Sequence, residues 1–442
     1  MAHFKKGDKK IINAWAMYDW ANSVYSLVIT VAVFPIYYNA ITTTKDAAGN
    51  VTSDMVSFFG MQFINTQLLS YVISASFFIM VLLSPILSAM ADYTGRQKLF
   101  MRMFCYIGSL SCMTLFFFTP ETFEFGMIAF GMASIGFTGS IVFYNSYLPV
   151  IADAEDHDKI SAKGFAMGYA GSVILLVFNL MMIQKPEWFG ITDPSLPARI
   201  SFLSVGIWWF LFAHIPFHYL PSNVFKKEAK GNIIFKGYQE LGKVFRELKG
   251  LPRLRNFIFA FFFYSMGVQT VIYLASSYGS KELGIETGFL IMSILAIQLV
   301  AIAGAFFFSR SSSKIGNIPS LMLACSIWGL ICIIGYFVAN KWQFLGMAAS
   351  VGFVMGGIQA LSRSTYAKML PETEDTATFF SFYDITEKLA TSSGTLVFGY
   401  LIFLTGSMRA SILPLIIFFI IGLFFLNLVK RIVAKEGIKG MG

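Results

Sequence analysis

The chain has 442 residues, of which 56% are hydrophobic, 17% aromatic and only 13% charged; 33 Lys/Arg against 24 Asp/Glu leave a net charge of +9. A soluble domain carries about 25% charged residues, so a single water-soluble core is excluded and lipid must solvate the outer face. The four cysteines (Cys105, Cys112, Cys325, Cys332) fall inside apolar runs and read as small packing residues rather than a zinc site.

Apolar runs long enough to span a bilayer, roughly 20 residues each, recur along the whole chain. In order they lie near 14–40, 65–90, 99–119, 123–149, 163–184, 198–220, 255–277, 287–309, 318–339, 342–369, 378–404 and 408–430. The runs are continuous rather than ten-residue alternations, which favours helices over a barrel. They predict an all-α membrane protein with twelve transmembrane helices and no room for a soluble catalytic domain. The first run holds Asp19 and lacks a small-x-small cleavage site, so it is expected to be retained.

Charge sets the expected orientation. With the N-terminus inside and the spans alternating, 26 Lys/Arg fall on the side of the termini, 6 fall on the other side and Lys388 lies within a span. By the positive-inside rule both termini are cytoplasmic. The basic excess then belongs to one membrane face and its anionic lipid, not to a nucleic acid.

The longest hydrophilic stretch, from Pro221 to Arg255, divides the chain into a first six-span half (1–220), a linker (221–255) and a second half (256–442). The linker's periodic apolar residues, among them Ile234, Leu241 and Phe245, predict an amphipathic helix on the inner leaflet. The halves echo each other. Span four reads ASIGF at Ala133–Phe137 and span ten reads ASVGF at Ala349–Phe353; both end in Leu-Pro, at Leu148-Pro149 and Leu370-Pro371. The two offsets differ by six residues, which predicts at least one extra turn in span ten. An acidic loop follows each proline, and that after span four, Asp153 to Asp158, reads as a solvated loop.

Charged groups at the bilayer centre cost roughly 2.5–3.5 kcal/mol each and need partners or water. Asp384 and Lys388 are four apart on span eleven, so they share a face and can pair, and Glu387 is three from Asp384. With Tyr383 they form the strongest candidate for a binding or coupling site. The alternative is that span eleven is long and Lys388 snorkels to the cytoplasm. Asn22 and Tyr25 on span one, and Tyr144 and Asn145 on span four, can line a central cavity or make helix-packing bonds. Asp19 and Arg363 lie near the cytoplasmic ends of their spans. A gate pair between Arg363 and an acid of the other half is expected. His214 and His218 lack a third metal ligand, and there is no Walker A loop or hydrolase motif. No metal, cofactor or enzymatic chemistry is expected.

Asp92-Tyr93-Thr94-Gly95-Arg96-Gln97-Lys98, after span two, resembles the loop signature of the major facilitator superfamily, with Ser88 where the first glycine would stand. The resemblance implies that Asp92 and Arg96 gate the cytoplasmic side, and Gly95 permits the turn. Three further stretches resemble one branch more closely: Tyr18-Asp19-Trp20-Ala21-Asn22-Ser23, Phe143-Tyr144-Asn145-Ser146-Tyr147 and Phe379-Phe380-Ser381-Phe382-Tyr383-Asp384. That branch holds the "unknown major facilitator" proteins and the fungal autophagy-related vacuolar amino-acid effluxer. It implies two pseudo-symmetric six-helix halves that alternate access, as a monomer in a bacterial inner membrane. The expected cargo is a small polar solute such as an amino acid, coupled to protons and carried outward. Peptidoglycan fragments, sugars and siderophores stay open as solutes. A non-transporting membrane sensor on the same scaffold also stays open.

Overall fold

The computed structural model describes residues 5–46, 51–222 and 232–436. Among the described residues, twelve helices are long and apolar enough to cross a membrane: Lys9–Thr42, Asn65–Thr94, Gln97–Phe117, Pro120–Ile151, Ala154–Gln184, Leu196–Tyr219, Pro252–Ala275, Thr287–Ile315, Asn317–Phe337, Lys341–Met369, Thr376–Thr405 and Met408–Glu436. They are spans one to twelve below, and an even number of them leaves both chain ends on one face, here called the terminal face. The architecture is the major facilitator fold, two six-helix halves.

Local sequence explains the ends. Asp8 caps span one by accepting from the Lys10 amide at 2.8 Å. Gly95 stops span two in the left-handed region at φ 66°, as expected, and Gly406 does the same for span eleven at φ 68°. Beyond ASIGF the main helix of span four, Phe123–Ser146, ends at Ser146, whereas beyond ASVGF the helix of span ten runs unbroken to Met369, which places the extra turn between the repeated motif and its proline. Span one widens into a π-helix over Tyr25–Val33, just before Pro35, whose missing N–H breaks the regular ladder.

The repeated glycines do different work in the two halves. A side chain on Gly136 of ASIGF would run into the backbone of Gly108 on span three, whereas one on Gly352 of ASVGF would meet Ile297 on span eight. Gly304 and Gly356 likewise bring spans eight and ten into backbone contact.

Between the halves, the described part of the linker forms an amphipathic helix, Ile233–Gly250. Lys226, Lys227 and Lys230 lie outside the described residues. The helix packs across the ends of spans two and eleven: Val244 is fully buried, Gly237 faces Met90 and Phe245 meets Phe382 at 6.3 Å between ring centres. The loop between spans one and two contains two short antiparallel hairpins that were not expected: β1 (Thr44–Lys45) with β2 (Val51–Ser53), and β3 (Met55–Phe58) with β4 (Met61–Ile64).

Candidate transport site and closure

Span eleven, 30 residues long, rises about 1.5 Å per residue. Asp384, Glu387 and Lys388 therefore sit about 12–18 Å from its start, about two to three turns into the helix. Lys388 Nζ is 3.9 Å from Asp384 Oδ1 and lies 5.4 Å from the ring centre of Phe77 on span two. That separation is at the limit of an ion pair and too long for a hydrogen bond. Asp384 is thus a buried carboxylate with one loose cationic partner. Glu387 is better held, accepting from Gln269 Nε2 at 2.9 Å. Tyr383 stacks on Phe261 at 4.2 Å and faces Tyr366 at 5.0 Å, both in the second half.

Toward the terminal face lies a second cluster, which joins the halves. Arg363 Nη1 donates to Asp19 Oδ2 at 3.1 Å, so the acid that meets Arg363 belongs to span one. Arg363 also donates to Ser161 Oγ and Ser161 O, each at 2.9 Å, and to Asn145 Oδ1 at 3.3 Å. Its guanidinium is ringed by Phe165, Trp15 and Tyr144 at 4.1, 4.8 and 5.5 Å. Tyr144 donates its hydroxyl to Asp19 Oδ2 at 2.7 Å and stacks on Trp15. A side chain on Gly164 would strike Asp19, Arg363 and Tyr144, so glycine there lets span five close over the pair. Tyr144 and Asn145, read from sequence as lining a cavity or making helix-packing bonds, make packing bonds in this layer.

Asn22 and Tyr25 part company. Tyr25 is buried against Phe137 and Trp209 inside the first half. Asn22 is buried with its Nδ2 unpartnered among the described residues.

Two further locks lie nearer the surface. Asp92 accepts from the Thr378 amide and hydroxyl, both at 2.7 Å, from the Ala377 amide at 3.2 Å and from Gln97 at 2.6 Å. It caps the N-terminus of span eleven from the opposite half. Arg96 is exposed, and it is Gln97 that reaches across to Thr376 at 3.1 Å. The acidic loop after span four is solvated only in part. Asp153, Glu155 and Asp156 are exposed, but Asp158 is buried and accepts from Lys368, Asn317 and Ser312, each at 2.7 Å. The pattern Asp158, Ser161, Ala162, Phe165 (i, i+3, i+4, i+7) carries the signal that places Asp158 on the inward stripe. The direction of the two locks differs. In one, an acid in the last turn of span two reaches the start of span eleven; in the other, the start of span five carries the acid, and the donors stand at the ends of spans eight, nine and ten that face it.

Outside the spans, Lys243 of the linker helix donates to Asp375 Oδ2 at 2.8 Å, and that bond holds its ammonium above the ordinary lysine range. A cleft of about 1090 Å³ opens beside it on the terminal face, lined by Asp153, Glu240, Lys243, Lys368 and Glu374 among others. The cross-half bonds beneath it, up to Tyr169–Gln359 at 2.6 Å, separate this cleft from Asp384. At the opposite end, bonds such as Tyr37 to Phe118 O and Tyr278 to Gly335 O stay within one half.

A first test concerns the acidic loop. Removing one partner of a buried pair costs about 3–5 kcal/mol, and an exposed surface charge within about 0.5 kcal/mol. Asp158→Ala is therefore expected to lower the thermal transition in detergent by several degrees while Asp153→Ala leaves it in place. Equal transitions for the two variants would refute the lock.

Residues 7–437 match the family described as "Vacuole effluxer Atg22 like". The chain is 33% identical over 422 residues to the "Uncharacterized MFS-type transporter YxiO" of Bacillus subtilis, covering 95% of this chain and 94% of that one. It is 23% identical over 502 residues to "Autophagy-related protein 22" of Pyricularia oryzae, covering 91% and 73%. Among solved structures, the transporter FucP in the outward conformation superposes with a TM-score of 0.70 at 12% identity, over 96% of this chain and 99% of that chain.

Proposed function

We propose that this chain, which belongs to the Atg22-like vacuole effluxer family and is an integral membrane transporter of the major facilitator type, moves an amino acid or similar small polar solute in step with protons. The observation that carries the reading is Asp384, a mid-membrane carboxylate held only by a loose contact with Lys388. A proton can join Asp384 without breaking a hydrogen bond, and Lys388 is then released to meet an anionic group. Glu387 offers an acceptor for an ammonium, and Asn22 a spare donor. An effluxer family supports export as the direction.

The charge bias of the loops puts the terminal face in the cytoplasm. The Asp19–Arg363, Asp92–Thr378 and Asp158–Lys368 contacts are then a closed inner gate, and the site opens outward. Asp19, Asp92 and Arg363 form the gate, Gly95 turns its loop, and Arg96 adds surface charge beside it. The first half, 1–220, rocks against the second, 256–442, and one chain supplies both, so a monomer suffices.

Purified protein in proteoliposomes, offered a panel of amino acids, sugars and peptidoglycan fragments with and without a pH gradient, tests this. The expected result is gradient-dependent accumulation of at least one amino acid. Solute uptake that stops at equal concentrations under every gradient would sink the coupling, and uptake of sugars alone would sink the solute class.

A further inference from the structure

The β3–β4 hairpin has no part in the transport site, yet it is built at a cost. Its register pairs Met55 with Ile64, Val56 with Phe63, Ser57 with Gln62 and Phe58 with Met61, leaving Phe59 and Gly60 as a two-residue turn. Both turn residues have positive φ, 47° at Phe59 and 80° at Gly60. Gly60 adopts this freely, but Phe59 is the non-glycine residue with positive φ among the described residues, where asparagine or aspartate is the usual occupant. A strained position filled by a large aromatic asks for an offsetting contact. Within the protein Phe59 touches the Phe58 ring at 4.7 Å and is otherwise 64% exposed; Met55 and Met61 are at least half exposed beside it.

Span two shows what lies next to the hairpin. Two rows run along it about a quarter-turn apart. Exposed Ser70 and Ser74 and half-buried Phe77 (i, i+4, i+7) form the row that faces the second half, since Phe77 lies beneath Lys388. Tyr71, Phe78 and Leu82 (i, i+7, i+11) form the other row, apolar and 54–64% exposed, and this is the lipid-facing side. The hairpin stands over this second row, with Phe63 meeting the Tyr71 ring at 6.1 Å. No charged residue occurs between Asp54 and Asp92. The lipid-facing surface of span two therefore continues without interruption onto the hairpin.

We propose that the β3–β4 hairpin is an interfacial anchor, lying in the lipid headgroup layer on the face opposite the termini with Phe59 and Met61 dipped toward the acyl chains. The occupant of its exposed apolar surface is the bilayer itself, in the manner of aromatic belts and interfacial segments. The anchor fixes the outer end of span two, the helix that meets span eleven.

Nitroxides at Phe59→Cys and Met61→Cys, in the full chain reconstituted in nanodiscs, test the proposal through collision with oxygen, which concentrates in lipid, and with a water-soluble nickel chelate. The native cysteines are buried. Glu187→Cys, in an exposed loop of the same face, is the aqueous control. The expected result is oxygen contact several-fold above nickel contact at 59 and 61 and the reverse at 187. Nickel contact at 59 equal to that at 187 overturns the proposal. So does low contact with both reagents, whether accompanied by dipolar broadening, which reports a second copy, or without it, which reports a lid packed on the second half.

Discussion

Arg363→Ala is expected to unseal the terminal face. Removing the guanidinium leaves Asp19 and Ser161 O without their partner inside a ring of Phe165, Trp15 and Tyr144. Breaking a buried pair costs about 3–5 kcal/mol, and the protein escapes that cost by opening and admitting water to Asp19. A shift of this size moves a two-state balance by a factor of about 10² to several thousand. A cysteine placed at Ala162, fully buried beside Ala305 and Ala360, reads it out. Its alkylation by a membrane-impermeant maleimide added on the terminal side is expected to accelerate at least about tenfold in Arg363→Ala. Arg363→Lys should fall between the two, because lysine keeps the charge but loses the planar fork that serves Asp19, Asn145 and Ser161 together. Alkylation as slow as in the parent would show that the cluster does not hold the gate.

Asp384→Asn is expected to separate solute movement from its driving force. Asparagine keeps the size and polarity of the side chain but cannot carry the proton. With one proton per solute, each pH unit can sustain about a tenfold accumulation, since 1.4 kcal/mol is a factor of ten. In Asp384→Asn vesicles the accumulation ratio should fall to about one, while exchange of labelled for unlabelled solute continues. Full gradient-driven accumulation by this variant would remove Asp384 from the coupling role. Loss of exchange as well would make it a solute contact instead.

The spans and their arrangement as six plus six were legible in the sequence, because each is written locally: apolar length gives a helix, and a repeated Leu-Pro gives the second half. The meeting of Arg363 with an acid of the other half was expected, but that partner stands 344 positions away, and only the packing of span one against span five brings Asp19 to it. Tyr144 left two readings open for a related reason. Periodicity shows that it shares a face with other residues, but not which way that face turns; the stack on Trp15 gives it a packing contact. Asp158 looked like one acid among four. The β3–β4 hairpin hid because apolar residues stand on both faces of its strands and only the Ser57–Gln62 pair is polar, so the two-residue alternation is too faint to read.

The backbone contacts between spans eight and ten have an evolutionary side. Gly304, Gly352 and Gly356 hold that frame by having no side chain, whereas the groups proposed to recognise a solute, Asp384, Glu387 and Lys388, stand on span eleven. On that proposal stiffness and selectivity are inherited on separate helices. A lineage can exchange its cargo by substitutions along span eleven without disturbing the frame, and a single methyl group at Gly356 can ruin the frame without altering any chemistry. Relatives that share the glycines are expected to share the motion, and need not share the solute.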